Sequence, residues 1–235
     1  MILCLETATS ICSVALINNS TIRGIRESSI DKSHASLLTV FIQELLEENK
    51  LSATDLDAVA ISKGPGSYTG LRIGVSAAKG ICYGTGIPLI AVNTLESMFR
   101  SFIAEYQGTG AENKDTLFCP MIDARRMEVY SSVFNYEGRE IREVEAEIID
   151  ERSYEKMLDR GKIVFFGNGA DKCGDIIKHK NAVFVQGFRL TATGMALPAL
   201  KAFSEKKFED TAYFEPYYLK DFIATIPRKN ILGHE

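Results

Sequence analysis

The segment Ser62–Gly74 combines residue types that can bind an anion. An apolar run at 59–61 leads into the turn Gly64–Gly66, and a helical pattern begins after Ser67. A strand, a glycine turn and a helix N-terminus can together direct backbone N–H groups at a phosphate. However, the segment lacks the G-x-x-x-x-G-K-[ST] pattern, because Lys63 precedes the loop. A phosphate loop and a structural turn that fixes helix entry both remain open. The candidate contact residues are Gly64, Gly66 and Ser67.

Two acidic residues, Glu6 and Asp123, each follow a short apolar run that reads as a strand. Facing carboxylates at such strand ends can organise a magnesium ion through water. The alternative is that both carboxylates accept hydrogen bonds from turn amides. Thr7 and Arg125 complete the candidate ligand contacts, because an arginine can bind a phosphate or carboxylate through two parallel hydrogen bonds.

Nucleophiles and metal ligands are scattered. His34, His179 and His234 lie far apart, and no serine sits in a G-x-S-x-G motif, which argues against a serine-hydrolase triad. The five cysteines are odd in number and lack C-x-x-C spacing, which indicates reduced thiols instead of disulfides or a zinc site. We therefore expect no catalytic residue, no metal site and no intrinsic cofactor.

The elements that position these residues follow from hydrophobic periodicity. Predicted strands lie at 2–5, 13–17, 21–27, 57–62, 89–92, 117–123, 128–134 and 163–166, with a further strand possible after the turn at 135–138. Predicted helices lie at 33–49, 69–84, from Asn93 or Thr94 to 104, and at 170–179. Ser33 is the expected N-cap of the first helix.

The pattern of strands begins again after a polar stretch at 107–115. This repetition predicts an α/β protein with duplicated lobes. We assign residues 1–106 to an N-terminal lobe and residues 107–235 to a C-terminal lobe, with the final helix or tail packing back on the first lobe.

The helix predicted at 69–84 has an unusual face, since Gly70, Gly74 and Ala78 recur every four residues. Each glycine costs about 1 kcal/mol relative to alanine inside a helix, so close contact must offset that cost. The contact can be internal or can involve another subunit, and Gly74→Arg is then expected to abolish association in a folded chain. The candidate interface residues are Leu37, Phe41, Gly70, Leu71, Gly74, Ala77 and Ala78.

Composition narrows the class of protein. The chain has 235 residues, 46% hydrophobic content, 25% charged content and a net charge of −4, which is typical of a soluble globular protein without a surface for nucleic acid. The N-terminal residues carry no basic stretch of a signal peptide, and no apolar run reaches the ~18 residues of a membrane span. We expect a cytoplasmic protein without a membrane partner.

Four local strings resemble the TsaB (YeaZ) family of bacterial tRNA threonylcarbamoyladenosine biosynthesis. The first is Leu-Glu-Thr-Ala-Thr at 5–9 together with Cys-Ser-Val-Ala-Leu at 12–16, and the second is the glycine string at 63–74. The third is Ile-Asp-Ala-Arg-Arg-Met-Glu-Val-Tyr at 122–130, and the fourth is Glu-Pro-Tyr-Tyr-Leu-Lys at 215–220. The resemblance implies a two-lobed actin-like (ASKHA, ribonuclease H-like) fold. It also implies that TsaD, the catalytic paralogue, carries His-x-x-x-His where this chain has Thr94 and Met98. We expect Thr94 to cap a helix and Met98 to fill the core.

The same resemblance implies a function as a non-catalytic scaffold or activator of a TsaD-like catalytic subunit. The implied partners also include a TsaE-like ATPase, and the chain alone would form a homodimer through its N-terminal-lobe helices. ATP and magnesium would be handled by partner subunits, and tRNA would be contacted only indirectly. Two alternatives remain: a glycoprotease-like peptidase or hydrolase, and an ATP-dependent phosphotransferase of the actin-like superfamily.

Overall fold

The computed structural model describes residues 1–30, 33–106 and 114–220, which form two lobes. The first lobe is built on a five-stranded mixed sheet in the order β3-β2-β1-β4-β5. β1 pairs antiparallel with β2 and parallel with β4, so a meander of three strands is extended by two parallel ones. The strands are β1 Ile2–Glu6, β2 Cys12–Asn18, β3 Thr21–Ser28, β4 Ala58–Gly64 and β5 Leu89–Asn93.

The second lobe repeats this topology with the order β8-β7-β6-β9-β10. β6 again pairs antiparallel with the following strand and parallel with β9. The two sheets are therefore equivalent strand by strand, which confirms the predicted duplicated, actin-like α/β fold. The strands are β6 Leu117–Asp123, β7 Glu128–Phe134, β8 Glu140–Ile148, β9 Ile163–Phe166 and β10 Ala182–Val185.

The helices cover the faces of both sheets. Helices α1 and α2 share one apolar core with the first sheet, while the 3-10 turn Ala192–Met195 and α5 cover its opposite face. Helix α3 packs on the second sheet, where Phe102 stacks on Phe166 at 4.0 Å. The helices are α1 His34–Glu48, α2 Tyr68–Thr85, α3 Thr94–Tyr106, α4 Glu155–Leu158 and α5 Ala196–Ser204.

Each half of the chain thus contributes a helix that packs on the sheet of the other half: α3 packs on the second sheet and α5 packs on the first. Helix α5 follows the second sheet in sequence and yet packs on the first sheet. Part of the expected linker, residues 107–113, and the tail from 221 to 235 lie outside the described residues. Among the described helices, none is both long and apolar enough to cross a bilayer.

Two local predictions are wrong. In place of the helix predicted at 170–179, residues 168–176 form successive turns. Cys173 N–H donates to the Ala170 carbonyl, and Ile176 N–H donates to the Cys173 carbonyl. Gly174, which disfavours helix, lies in this stretch. Ser33 does occupy the N-cap position of α1, but its hydroxyl donates to the Ile30 carbonyl at 2.6 Å and caps nothing. Its backbone is helical instead of extended, which turns the hydroxyl away from the first helical amides.

Candidate functional site

The glycine loop between β4 and α2 packs directly on the turn that follows β1. Ser67 N–H donates to the Ala8 carbonyl at 2.7 Å, and a Cβ on Gly66 would lie 2.7 Å from the Ala8 Cβ. The Ser67 hydroxyl accepts a hydrogen bond from Gly70 N–H at 3.2 Å and caps α2. The space in front of these amides is therefore filled by Ala8.

The entrance to the loop is closed in the same way. Gly64 N–H donates to the Thr94 hydroxyl at 3.2 Å, and Tyr217 N–H donates to the Lys63 carbonyl at 2.6 Å. Gly64 has φ of +114° and touches the Tyr217 carbonyl, so a side chain here would be strained and would clash. This geometry favours the structural turn over the phosphate loop.

Thr94 does not cap α3, contrary to expectation. The cap is Asn93, whose Oδ1 accepts hydrogen bonds from Leu95 N–H at 2.9 Å and Glu96 N–H at 3.2 Å. The shorter Thr94 hydroxyl turns to Gly64 instead. Met98 is buried in the core as expected. Both residues at the positions of the His pair thus have internal roles.

We expect Thr94→Val to destabilise the chain by about 2 kcal/mol, because the buried Gly64 N–H would lose its acceptor. Thr94→Ser keeps the hydroxyl and is the matched control. Urea unfolding followed by circular dichroism measures both free energies. Equal stability of the valine and serine variants would contradict a role for this hydrogen bond.

Glu6 is completely buried at the end of β1. Its Oε1 accepts hydrogen bonds from Ala8 N–H at 2.7 Å and from the Ser62 hydroxyl at 2.9 Å. Burial raises the pKa of this carboxyl to about 7, although these hydrogen bonds oppose the shift. Among the described residues, Glu6 Oε2 and the Thr7 hydroxyl are buried without a hydrogen-bond partner. Glu6 therefore bonds turn amides, as the simpler interpretation predicts.

Asp123 lies at the equivalent position of the second sheet but is partly exposed. Its carboxylate accepts a hydrogen bond from Arg125 N–H at 2.9 Å and forms an ion pair with Lys172. Asp123 N–H donates to Asn168 Oδ1 at 3.1 Å. Sequence reasoning missed Lys172 and Asn168 as members of this cluster, although Asn168 lies between two glycines just after the predicted strand at 163–166.

A crevice of about 30 Å³ lies between the two lobes. Such a volume holds one or two water molecules and is far too small for a nucleotide. The lining residues are Thr9, Ser10, Ile11, Met98, Gly167, Asn168, Phe188 and Leu190.

The cysteines offer no reactive thiol. All five are free and buried. Burial raises the pKa of Cys12, Cys82 and Cys173 to about 11, so these sulfurs are protonated at neutral pH. In the described part of the chain, no three His, Cys, Asp or Glu side chains come together as a metal site would require.

Comparison with known proteins decides the family. The family model for TsaD, tRNA N6-adenosine threonylcarbamoyltransferase, matches residues 11–221. The tRNA threonylcarbamoyladenosine biosynthesis protein TsaB of Escherichia coli is 34% identical, with 95% of this chain and 96% of that protein covered. The chain belongs to the TsaB family. A Bacillus subtilis TsaB is 31% identical over 58% of the chain.

A solved structure titled YeaZ, from Pseudomonas aeruginosa, has the same fold as this TsaB-family chain. It superimposes with a TM-score of 0.77 at 24% identity, and covers 93% of this chain and 99% of its own. A second structure from that organism, described as similar to peptidase YeaZ, gives a TM-score of 0.79 at 23% identity. Both show the two-lobed fold.

The small-residue face of α2 in this TsaB-family chain is internal, which corrects one prediction. Gly70, Leu71, Gly74 and Ala78 are all buried within the chain. A Cβ on Gly70 would collide with the Thr7 carbonyl, and a Cβ on Gly74 would collide with the Thr7 hydroxyl. These four residues therefore face the first sheet and cannot form a partner surface, and Gly74→Arg is not a test of association.

A different face of the same helices remains open, and we call it the outer helical face. A Cβ on Gly80 would have nothing within 4 Å, Tyr83 is 89% exposed and Val40 is 43% exposed. The expected interface residues Leu37, Phe41 and Ala77 are half-buried at its edge. The outer helical face consists of Leu37, Val40, Phe41, Ile73, Ala77, Gly80 and Tyr83.

The last described segment, residues 205–220, runs across α2 beside this face. Lys79 Nζ donates to the carbonyls of Ala212 at 3.0 Å and Phe214 at 3.2 Å. Arg72 stacks on the Tyr68 ring at 4.2 Å and donates from Nε to the Tyr218 hydroxyl at 3.2 Å. These contacts fix the position of α2 relative to the end of the described chain.

Proposed function

We propose that this chain is a non-catalytic subunit that supports a TsaD-like enzyme in transferring a threonylcarbamoyl group to the tRNA adenosine beside the anticodon. The observation that carries the proposal is the match along nearly the whole length of the Escherichia coli TsaB protein, whose name assigns it to tRNA threonylcarbamoyladenosine biosynthesis. The role in that pathway rests on this match. The absence of chemistry by this chain rests on the geometry of the cleft.

The cleft supports a scaffold in three ways. The amides of Gly64 and Ser67 bond within the chain. Thr94 and Met98 stand where the resemblance implies paired histidines in TsaD, and neither provides an imidazole. The crevice that Thr9, Met98 and Phe188 line has a volume of about 30 Å³. That crevice is too small to hold a nucleotide.

The outer helical face supports partner binding. It places Tyr83, an aromatic side chain of the type enriched at interface hot spots, beside glycine positions that allow another helix to approach closely. We propose that it joins two copies of the chain when it is alone and joins the chain to the TsaD-like subunit in the complex. A TsaE-like ATPase, with ATP and magnesium handled by the partners, completes the proposed assembly.

The test is a modification assay on an unmodified tRNA transcript with the TsaD-like subunit, in the presence and absence of this chain. We expect threonylcarbamoyladenosine to form only when the chain is present, and the chain to co-purify with that subunit. Equal product without the chain would overturn the proposal. Turnover of ATP or cleavage of a peptide by the purified chain alone would favour the phosphotransferase or the hydrolase alternative.

Gly80→Arg is expected to leave the chain folded and to weaken its self-association at least tenfold, since the new side chain projects from the outer helical face. Sedimentation velocity measures association, and a thermal melt checks folding. Leu197→Arg is the matched control, because Leu197 is 59% exposed on α5, on the opposite face of the first sheet. Normal association of the Gly80 variant would exclude this face as the interface.

A further inference from the structure

The turn between β6 and β7 carries two arginines in a backbone conformation that L-residues rarely adopt. Arg125 has φ of +70° and Arg126 has φ of +48°. Glycine or asparagine is the usual residue at such positions, because a bulky side chain costs free energy there. Strained residues of this kind are concentrated at functional sites, where the surrounding structure fixes them.

The surrounding structure does fix this turn. Ala124 N–H donates to the Glu128 carbonyl at 3.0 Å, and Glu128 N–H donates to the Arg125 carbonyl at 3.2 Å. Lys172 Nζ donates to the carbonyls of Arg126 at 2.6 Å and Glu128 at 2.7 Å. The ammonium also pairs with Asp123. The lysine charge is therefore used to hold the turn.

The guanidinium groups of Arg125 and Arg126, unlike the Lys172 ammonium, do not hold the turn. Both side chains are exposed, and within residues 1–30, 33–106 and 114–220 neither guanidinium has a hydrogen bond or an ion pair. By contrast, Arg26 and Arg142 each pair with two glutamates. Each free guanidinium can bind an oxyanion through two parallel hydrogen bonds.

We propose that Arg125 and Arg126 contact phosphate groups of an RNA backbone. The naming of RNA rests on the proposed function, whereas the anion site rests on the turn itself. An exposed turn suits the accessible phosphates of a polyanion, since both arginine side chains lie at the surface and neither lines the crevice between the lobes. The chain would then touch tRNA directly, beyond the indirect contact that the sequence suggested.

The double variant Arg125→Asn with Arg126→Gly tests this, because it removes both guanidinium groups and supplies residues that favour positive φ. We measure its binding to a fluorescently labelled, unmodified tRNA transcript, in complex with the TsaD-like subunit, across a salt series. The expected result is roughly tenfold weaker binding and a salt slope lower by about 1–2, as for the loss of one or two phosphate contacts. The melting temperature should stay the same or rise.

Arg139→Gln with Arg152→Gln is the matched control, since it removes the same charge from exposed positions elsewhere in the lobe. Equal RNA binding by the test variant and this control would overturn the proposal. So would loss of complex formation with unchanged RNA binding by the chain alone, which would assign the arginines to a protein carboxylate. Full displacement of the tRNA from this contact by millimolar inorganic phosphate would point to a small ligand instead.

The proposed function and this inference fail in different ways. If the wild-type chain does not associate with the TsaD-like subunit, the proposed function fails. In that case the salt series is repeated on the chain alone, with the arginine variant and its control. A lower salt slope of tRNA binding in the arginine variant only would support the anion site at Arg125 and Arg126.

Discussion

Gly70→Ala is expected to destabilise the folded chain by about 3 kcal/mol or more, because overpacking of a rigid contact has costs of this order. A Cβ at this position would collide with the Thr7 carbonyl, which is part of the backbone and cannot rotate away. To relieve the collision, α2 would have to move away from the turn after β1. The Ser67 hydroxyl, which caps α2, would then lose its hydrogen bond from Gly70 N–H. Urea unfolding measures the change.

Gly80→Ala is the control, since it makes the same chemical change in the same helix. A Cβ on Gly80 meets nothing within 4 Å, so alanine should be neutral or stabilise the helix by up to about 1 kcal/mol. Gly74→Arg, by the same reasoning, is expected to leave little folded chain, because Gly74 faces Thr7 and Ile61 Cδ1. Similar stability of the Gly70 and Gly80 variants would contradict the close approach of α2 to the first sheet.

The pair of glycines shows what periodicity can and cannot predict. A repeat of Gly70, Gly74 and Ala78 indicates that something approaches this face closely. It does not identify the neighbour, since the turn after β1 lies about sixty residues earlier in the chain and reaches α2 only after the sheet has formed. The outward position of Gly80 depends on the same packing.

The strands were predictable for a different reason. Each lobe opens with an apolar run that ends in an acid, and local turns join it to the next two strands, so the order of the first three strands follows from the sequence. The cluster around Asp123 depends on longer-range contacts. Lys172 comes from turns that the apolar pattern presented as a helix. Asn93 caps α3, and the Thr94 hydroxyl accepts a hydrogen bond from Gly64 N–H. Asparagine is the stronger N-cap residue of the two, but the contact with Gly64 joins positions thirty residues apart and depends on the folded sheet.

Glu6→Gln is expected to remove a large pH dependence of stability. The folded pKa of Glu6 is raised to about 7 from the ordinary 4.5, so between these values the folded state binds more protons than the unfolded state. Stability from this group is therefore fully present below about pH 4.5 and falls as pH rises through 7. The loss is about 3 kcal/mol, since each pKa unit corresponds to about 1.36 kcal/mol.

Glutamine keeps the Oε1 acceptor for Ala8 and Ser62 and carries no charge. The stability of the glutamine variant relative to wild type should therefore rise by about 3 kcal/mol between pH 4.5 and pH 8. Thr7→Val is the control, because it alters the neighbouring unpartnered oxygen without a titratable group. Its effect should be the same at both pH values.

Urea unfolding at pH 4.5, 6, 7 and 8 measures the three chains, and the titration of all other groups cancels in the differences. A constant difference between Glu6→Gln and wild type would mean that the carboxyl is solvated in the folded chain, and that the turn after β1 opens. A carboxyl that is only half ionised near neutral pH is a poor counter-charge for a metal ion. The predicted pH profile is therefore also the profile expected if Glu6 serves the packing of the glycine loop and not the binding of a nucleotide.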